Sequence, residues 1–499
     1  MPSAPTLTAP RDDGGDPGAP ATNGSMTPRQ DRSETELDGT LTPTSAGSLH
    51  RKRASVGQTA DMAESTGDIA EREADDFSSM GGFEPEDAFE KKQPNGDTRG
   101  STGVSKSKHD GLLQPDGEIK NRSKPDPRDT YPPLTDAAGK EAAARERDRI
   151  NAYRAGGIRF APWNIPYRRR LQTMAVLAHC LSIAMTVSFF FFLCAIPLTW
   201  PVLIPYLLHM LLSKSATDGR LRARSERFRR LPVWRFFANY FPATLHKTHD
   251  LPPTRKYIFG YHPHGIISHG AFAAFATDAL GFADKFPGIT NSLLTLDSNF
   301  RIPLYRDYIL ALGIQSVSKE SITAILTSGG RDGDGMGRAV TIVVGGARES
   351  LEAHPGTMSL VLAQRKGFVK MAMRTGADLV PVLAFGENDL YDQLSSKRHP
   401  LLHRLQMWVL RTLKFTLPFL HGRGIFNYDV GLMPYRRPLN IVVGRPIAVR
   451  RVNVAGGEKI EGREVERLHA EYVGELERMW GRYRGVFVKG GDGEMRILE

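Results

Sequence analysis

Tyr257-Ile-Phe-Gly-Tyr-His-Pro-His-Gly-Ile-Ile-Ser-His269 is the stretch that decides how the rest of the chain reads. Its aromatic, β-prone start, Tyr257 to Tyr261, predicts a short buried strand. Pro263 cannot continue a central strand and Gly265 permits a tight bend, so the strand stops at His262-Pro-His-Gly265. Beyond the bend, Ala271 to Leu280 has the composition of a buried helix. Imidazoles therefore sit where a strand hands over to a helix, the place where α/β sheets bind ligands. His262 and His264 lie two residues apart around an extended proline, which predicts side chains pointing the same way.

Outward from that stretch, the 499 residues are unevenly composed. Residues 1–155 are rich in Pro, Gly, Ser, Thr and charge, with no Trp or Cys. They offer too little apolar surface to offset chain entropy and read as a disordered cytosolic tail. No basic-then-apolar N-terminus marks a cleavable signal. Arg51-Lys-Arg-Ala-Ser55 resembles a basophilic kinase target or a plain solvated cluster, and Asn23-Gly-Ser and Asn121-Arg-Ser match the glycosylation triplet. Residues 141–155 suit a short charged helix.

Residues 156–230 form a second region. Arg159-Phe-Ala-Pro-Trp163 and Tyr167-Arg-Arg-Arg170 place aromatics beside arginines, as a membrane interface selects. Leu171 to Leu212 then runs without Lys, Arg, Asp or Glu, about twice the ~20 residues one span needs. Pro197, Pro201 and Pro205 break it, which predicts a pair of spans or a re-entrant hairpin. Basic residues flank both ends, so both ends should face the cytosol. The net charge of +11 and pI near 9.5 fit an anionic partner. Because the basic clusters flank the apolar run, a membrane accounts for them better than nucleic acid does. Cys180 and Cys194 both lie in that run, which excludes a disulfide framework and a four-thiolate zinc site.

Residues 231–499 read as a mixed α/β domain. Predicted strands are 257–261, 341–344, 379–383 and 439–443, separated by helical patterns that imply parallel connections. Residues 322–336, overlapping Gly329-Gly-Arg-Asp-Gly-Asp-Gly-Met-Gly337, lack the Lys-Ser/Thr of a phosphate loop and read as a surface insert. Residues 400–420 suit a helix on a membrane surface or a half-buried core helix. Val465, Leu468, Tyr472, Leu476, Met479 and Tyr483 recur at three and four, an amphipathic helix packing on the domain.

Three groups of residues carry chemistry. His262, His264 and His269 are candidates for a general base, for metal ligation or for structure. In Val343-Val-Gly-Gly-Ala-Arg-Glu-Ser350, Gly345 and Gly346 let backbone approach an anion, Arg348 can meet a phosphate, and Glu349 can orient an imidazole. Arg365 and Lys366 precede a buried strand and either bind phosphates of a nucleotide-bearing cofactor or belong to a solvated helix face. Gly-x-Ser-x-Gly and Gly-x-Gly-x-x-Gly after a strand are both missing.

Taken together, Asn239-Tyr-Phe-Pro242, His262-Pro-His-Gly265, Asn299-Phe-Arg-Ile-Pro303, Gly345-Gly-Ala-Arg-Glu-Ser350, Arg365-Lys-Gly-Phe368, Leu379-Val-Pro-Val382, Phe385-Gly-Glu387 and Gly444-Arg-Pro-Ile447 resemble the type-2 diacylglycerol acyltransferase family, in its fungal form, over roughly 159–488. The resemblance implies a glycerolipid-acyltransferase-like mixed sheet with flanking helices behind a membrane hairpin. It implies a protein of the endoplasmic reticulum that also meets lipid droplets. It implies acyl transfer from acyl-CoA to diacylglycerol, with no cofactor and no metal. Monoacylglycerol or a fatty alcohol as acceptor, a non-catalytic tethering protein, and a homo-oligomer stay open. The resemblance puts His264 in the role of base, with His262 and Glu349 beside it. It puts Tyr240, Phe241, Pro242, Gly265, Asn299, Arg301, Gly345, Gly346, Arg348, Arg365 and Lys366 at the substrates. The relatives' His-x4-Asp pair is not kept: His269 follows His264 by five and Ile267 follows His262 by five. Glu349 is the expected orienting group instead.

Overall fold

A computed structural model describes residues 131–136, 153–155, 157–393, 404, 408, 420–488 and 493–498. The kinase and glycosylation motifs, and residues 400–420 apart from exposed Arg404 and Trp408 and half-buried Leu420, lie outside them.

A seven-stranded sheet organises the domain. Its strands are β1 (Ala243–Lys247), β2 (Tyr257–His262), β3 (Thr290–Thr295), β4 (Gln315–Ser316), β5 (Arg338–Val343), β6 (Asp378–Phe385) and β7 (Leu439–Val443), in the order β1-β7-β6-β2-β5-β3-β4. The run β6-β2-β5-β3-β4 is parallel. β7 pairs with β1 in parallel but with β6 antiparallel, Asn440 opposite Phe385, which corrects the expectation that all connections are parallel. β2 is central and buried along its whole length, which its near-continuous apolar sequence dictates.

Helices cover both faces. The apolar helices are α1 (Tyr167–Cys180), α2 (Ser182–Cys194) and α3 (Trp200–Leu212), and α4 (Pro232–Tyr240) packs on α1. On the opposite face lie α5 (Lys319–Thr327), α6 (Gly367–Thr375) and α7 (Gly462–Phe487). One core joins α4 and Ala271–Phe275 to the sheet; the other joins α5, α6 and α7 to it. The apolar stripe predicted from Val465 to Tyr483 is the buried face of α7.

Four readings are revised. The helix expected over 271–280 runs only from His269 to Ala276, and its last turn is π-helical. The presumed surface insert is half helix: Ile322, Ile325 and Leu326 are buried in α5, and only the glycine-rich turn after it is exposed. Tyr153–Ala155 pairs with Ile158–Phe160 as a β-hairpin instead of ending a helix. Tyr131–Asp136, within the stretch expected to be disordered, packs on the domain through Tyr131 and Tyr483.

No single described helix is long and apolar enough to cross a membrane. α1 and α2 together satisfy length and composition but bend by 64° at Leu181. α2 buries none of its residues, and Phe189, Phe191 and Phe192 stand exposed on it.

Candidate active site

The loop 263–268 leaves the C-terminal end of β2. The neighbouring strands end beside it: β5 runs into the turn Gly346–Ser350, and β6 into the turn Glu387–Leu390. Three adjacent parallel strands thus deliver Glu349, His264 and Glu387 to one edge of the sheet.

His264 is half-buried. Its Nδ1 lies 3.0 Å from the Gly265 carbonyl oxygen. A carbonyl can only accept, so Nδ1 carries the proton and Nε2 keeps its lone pair. Burial lowers the ring's pKa below the ordinary 6.5, and the Gly265 bond offsets part of that. The ring is therefore neutral at pH 7.

His262 is placed differently. It is fully buried, with Nε2 3.0 Å from the Tyr472 hydroxyl. That hydroxyl donates to the Gly260 carbonyl at 3.1 Å, so His262 Nε2–H is the donor to it. Nδ1 is buried without a hydrogen bond, and burial lowers the pKa to about 3. The two rings do not share a direction of use: one is sealed against α7 and the other is partly open. Tyr472 also explains Gly260, because a Cβ there would collide with its hydroxyl.

Glu349 is buried, but it does not hold the imidazole. Its Oε1 accepts the backbone N–H of His264, and its Oε2 accepts the N–H of Val361 at 2.7 Å. It fixes the loop, not the ring. Burial raises its pKa to about 7 against the lowering effect of those two bonds. Gly345 is required here, because a Cβ would overlap the Glu349 side chain as it folds back.

Glu387 holds the other side of the loop. Its Oε2 accepts from the Tyr261 hydroxyl at 2.7 Å and from the Gly270 N–H at 2.9 Å. Burial raises its pKa to about 7 as well. Gly265, at φ 61°, lets the loop pass, since a Cβ there would sit 2.7 Å from Glu387 Cγ. Sequence reasoning used Glu387 only as part of a motif; the signal for its role was a carboxylate directly after a buried strand.

The other expected residues divide. Gly345, Gly346, Arg348 and Glu349 share the turn after β5, and Arg348 is exposed there. Arg365 is buried and electrostatically coupled to Arg348 and Glu349. Lys366 is ion-paired with Glu466 of α7 at 2.5 Å. Tyr240 and Phe241 are core residues: the Tyr240 hydroxyl donates to the Pro434 carbonyl, and Phe241 stacks on His269 at 5.1 Å, with Pro242 following. Asn299 bonds Thr295 and exposed Arg301 faces Asp297, both in the turn after β3, two strands from the His264 loop. His269 is buried against Tyr391. Among the described residues no cluster of His, Cys, Asp and Glu has the makings of a metal site.

Residues 190–494 match the diacylglycerol acyltransferase family. The chain belongs to that family. It is 49% identical to diacylglycerol O-acyltransferase 2A of Umbelopsis ramanniana over 343 residues, 68% of this chain and 94% of the relative. It is 41% identical to diacylglycerol O-acyltransferase 2 of Dictyostelium discoideum, over 68% of this chain and 99% of that one. It is 43% identical to 2-acylglycerol O-acyltransferase 1 of Bos taurus, over 66% and 96%. No solved structure matches. For a member of this diacylglycerol acyltransferase family, the structure places the His-Pro-His-Gly loop between two buried carboxylates, each gripping backbone.

Proposed function

We propose that this chain is an acyl-CoA:diacylglycerol O-acyltransferase that makes triacylglycerol. The observation that carries the reading is the half-buried His264 ring, in a chain of this family: Nδ1–H is committed to the Gly265 carbonyl, leaving the lone pair on Nε2. That is the state a general base needs. Nε2 takes the proton of the acceptor hydroxyl. The oxygen forms an ester bond to the thioester carbonyl carbon, and charge builds on the carbonyl oxygen until backbone N–H groups or a cation meet it. Arg348 is exposed on the adjoining turn. The carbon–sulfur bond breaks, and the departing sulfur takes the proton from the imidazolium. No metal, cofactor or covalent enzyme intermediate enters.

The reaction belongs at a membrane because diacylglycerol resides in one. The apolar helices α1–α3 supply the anchor. The arginines at 168–170 and between 220 and 230 support cytosolic placement of both ends. We place the protein in the endoplasmic reticulum, with access to lipid droplets. Monoacylglycerol is a second acceptor reading, because one close relative is named a 2-acylglycerol O-acyltransferase.

An acceptor panel tests this. Membranes from a host unable to make triacylglycerol receive labelled acyl-CoA with diacylglycerol, monoacylglycerol or a fatty alcohol. The expected product is labelled triacylglycerol, lowered on the order of 10²–10⁴-fold in His264→Ala. Label in another ester moves the acceptor. Near-normal turnover in the variant removes His264 as base, and no product at all leaves a tethering protein.

A further inference from the structure

The loop Gly424–Leu432 lies far in sequence from the apolar helices, yet it carries exposed Ile425, Phe426, Val430 and Leu432, with Phe426 76% and Leu432 74% exposed. The polar side chains of Asn427 and Asp429 are engaged within the fold. Asn427 Oδ1 accepts from the N–H groups of Asp429 at 3.1 Å and Val430 at 2.8 Å. Asp429 takes the backbone N–H of Arg159 at 2.7 Å and its guanidinium as well. The base is a bridged pair, Gly422 with Gly431 and Arg423 with Met433, and the Arg423 guanidinium lies over the Tyr428 ring at 4.8 Å. The loop is a fixed shape with an apolar rim.

Its position is fixed too. Ala161 N–H donates to the Phe426 carbonyl at 2.8 Å, two residues before Trp163, which is 94% exposed. On the other side of the loop, the Arg436 guanidinium donates to Gln172 Oε1 at 2.7 Å, Thr173 Oγ1 at 2.8 Å and the Arg169 carbonyl at 3.0 Å. The loop is thus cross-braced to the first turns of α1, beside Trp163, Tyr167 and the exposed Arg168 and Arg170. Apolar tips ringed by aromatics and arginines match a phospholipid interface, where the tips enter the acyl boundary and the arginines stay among phosphates.

We propose that the 424–432 loop is a second membrane-contacting element, a wedge that dips into the same phospholipid leaflet from which α1 enters. The occupant is lipid because the exposed apolar tips are hydrogen-bonded in place beside exposed Trp163 and Tyr167 and the arginines that open the apolar helices. The proposal rests on reading those helices as membrane-embedded.

The test uses the full chain with Cys180 and Cys194 replaced by Ala, reconstituted in phosphatidylcholine vesicles containing anionic phospholipid. An environment-sensitive fluorophore is attached at Phe426→Cys, and separately at Leu432→Cys, at Phe192→Cys on α2, and at Arg463→Cys on α7 as a water-exposed control. Acyl transfer by each labelled protein reports that it is folded. The expected result is a blue-shifted emission at 426 and 432, quenched by lipid-attached nitroxide, with iodide quenching only 463. Lipid quenching at 192 but iodide quenching at 426 and 432 overturns the wedge while the membrane reading stands. Iodide quenching at all four positions overturns both.

Discussion

Two carboxylates reach the His264 loop from the strands on either side of β2, and they hold different atoms in different ways. Glu349 spends one oxygen on His264 N–H and the other on Val361 N–H. Glu387 uses Oε2 for both Tyr261 and Gly270, and the His269 N–H also bonds its carboxyl. An amide has one acceptor oxygen, so the same substitution should act unequally. Glu349→Gln turns an NH₂ toward a backbone donor and leaves it unpaired, costing about 1–3 kcal/mol of stability and most of the transfer rate. Glu387→Gln keeps the Tyr261 and Gly270 bonds on its one acceptor oxygen and should retain activity within a few-fold. Equal behaviour of the two in thermal unfolding and turnover would refute this division. The pH dependence follows. The Glu387 pKa rises from 4.5 unfolded to about 7 folded. Below pH 4.5 both states are protonated and burial costs nothing. From 4.5 to 7 the unfolded state gives up its proton while the folded state keeps it, so stability falls as pH rises, by about 3 kcal/mol in all, and is level above 7. Buried histidines oppose this trend below pH 6.5, so a difference is the clean reading. The stability of Glu387→Gln minus that of the natural protein should rise from pH 4.5 to 7 and then stay constant; a pH-independent difference means the carboxyl is not shifted.

Among the elements, β2, β6 and β7 were legible because each is a run of β-prone, buried residues, and α7 because its stripe keeps helical spacing over five turns. β3 was missed for a physical reason. Its Asn291 and Ser292 look like loop residues but are fully buried, and Asn291 Oδ1 accepts from Thr341 on the next strand at 3.1 Å. The short β4 and the edge strand β1 give no alternating signal. For the site, the His-Pro-His-Gly turn and Glu349 could be named in advance. That Glu349 would grip backbone, and that Glu387 would face it, could not, because β6 and β5 flank β2 only through the sheet order. The contact between α7 and β2 was equally hidden. Tyr472 crosses from the helix to Gly260 and His262, and Tyr472→Phe removes both bonds. We expect about 1–3 kcal/mol lost in denaturant unfolding with kcat within a few-fold, since no contact of His264 changes. A collapse of kcat without loss of stability would instead put His262 in the reaction.

At the scale of the molecule, a short N-terminal segment closes the far side of the fold. Tyr131 donates its hydroxyl to Glu475, a fully buried carboxylate on α7, and accepts the Arg445 N–H at 3.2 Å. Tyr483 donates to the Pro132 carbonyl at 2.8 Å, and Asn440 donates to Asp136 at 3.2 Å. Burial alone would raise the Glu475 pKa, but hydrogen bonds from Tyr131 and Arg478 and the charge of Arg445 hold it below 4.5. The carboxylate therefore depends on a residue more than 300 positions away in sequence. Tolerance of truncation is set by such contacts and not by distance from the terminus. Removing residues 1–130 deletes none of them. Removing 1–136 deletes all, leaving Glu475 to Arg445 and Arg478, and should lower stability by about 1–3 kcal/mol, with Tyr131→Phe falling between. Melting temperatures of the three proteins in the same detergent decide it: indistinguishable values for the two truncations would mean that Tyr131–Asp136 contributes nothing to the fold, whereas a drop confined to the longer deletion ties the α7 face to that segment.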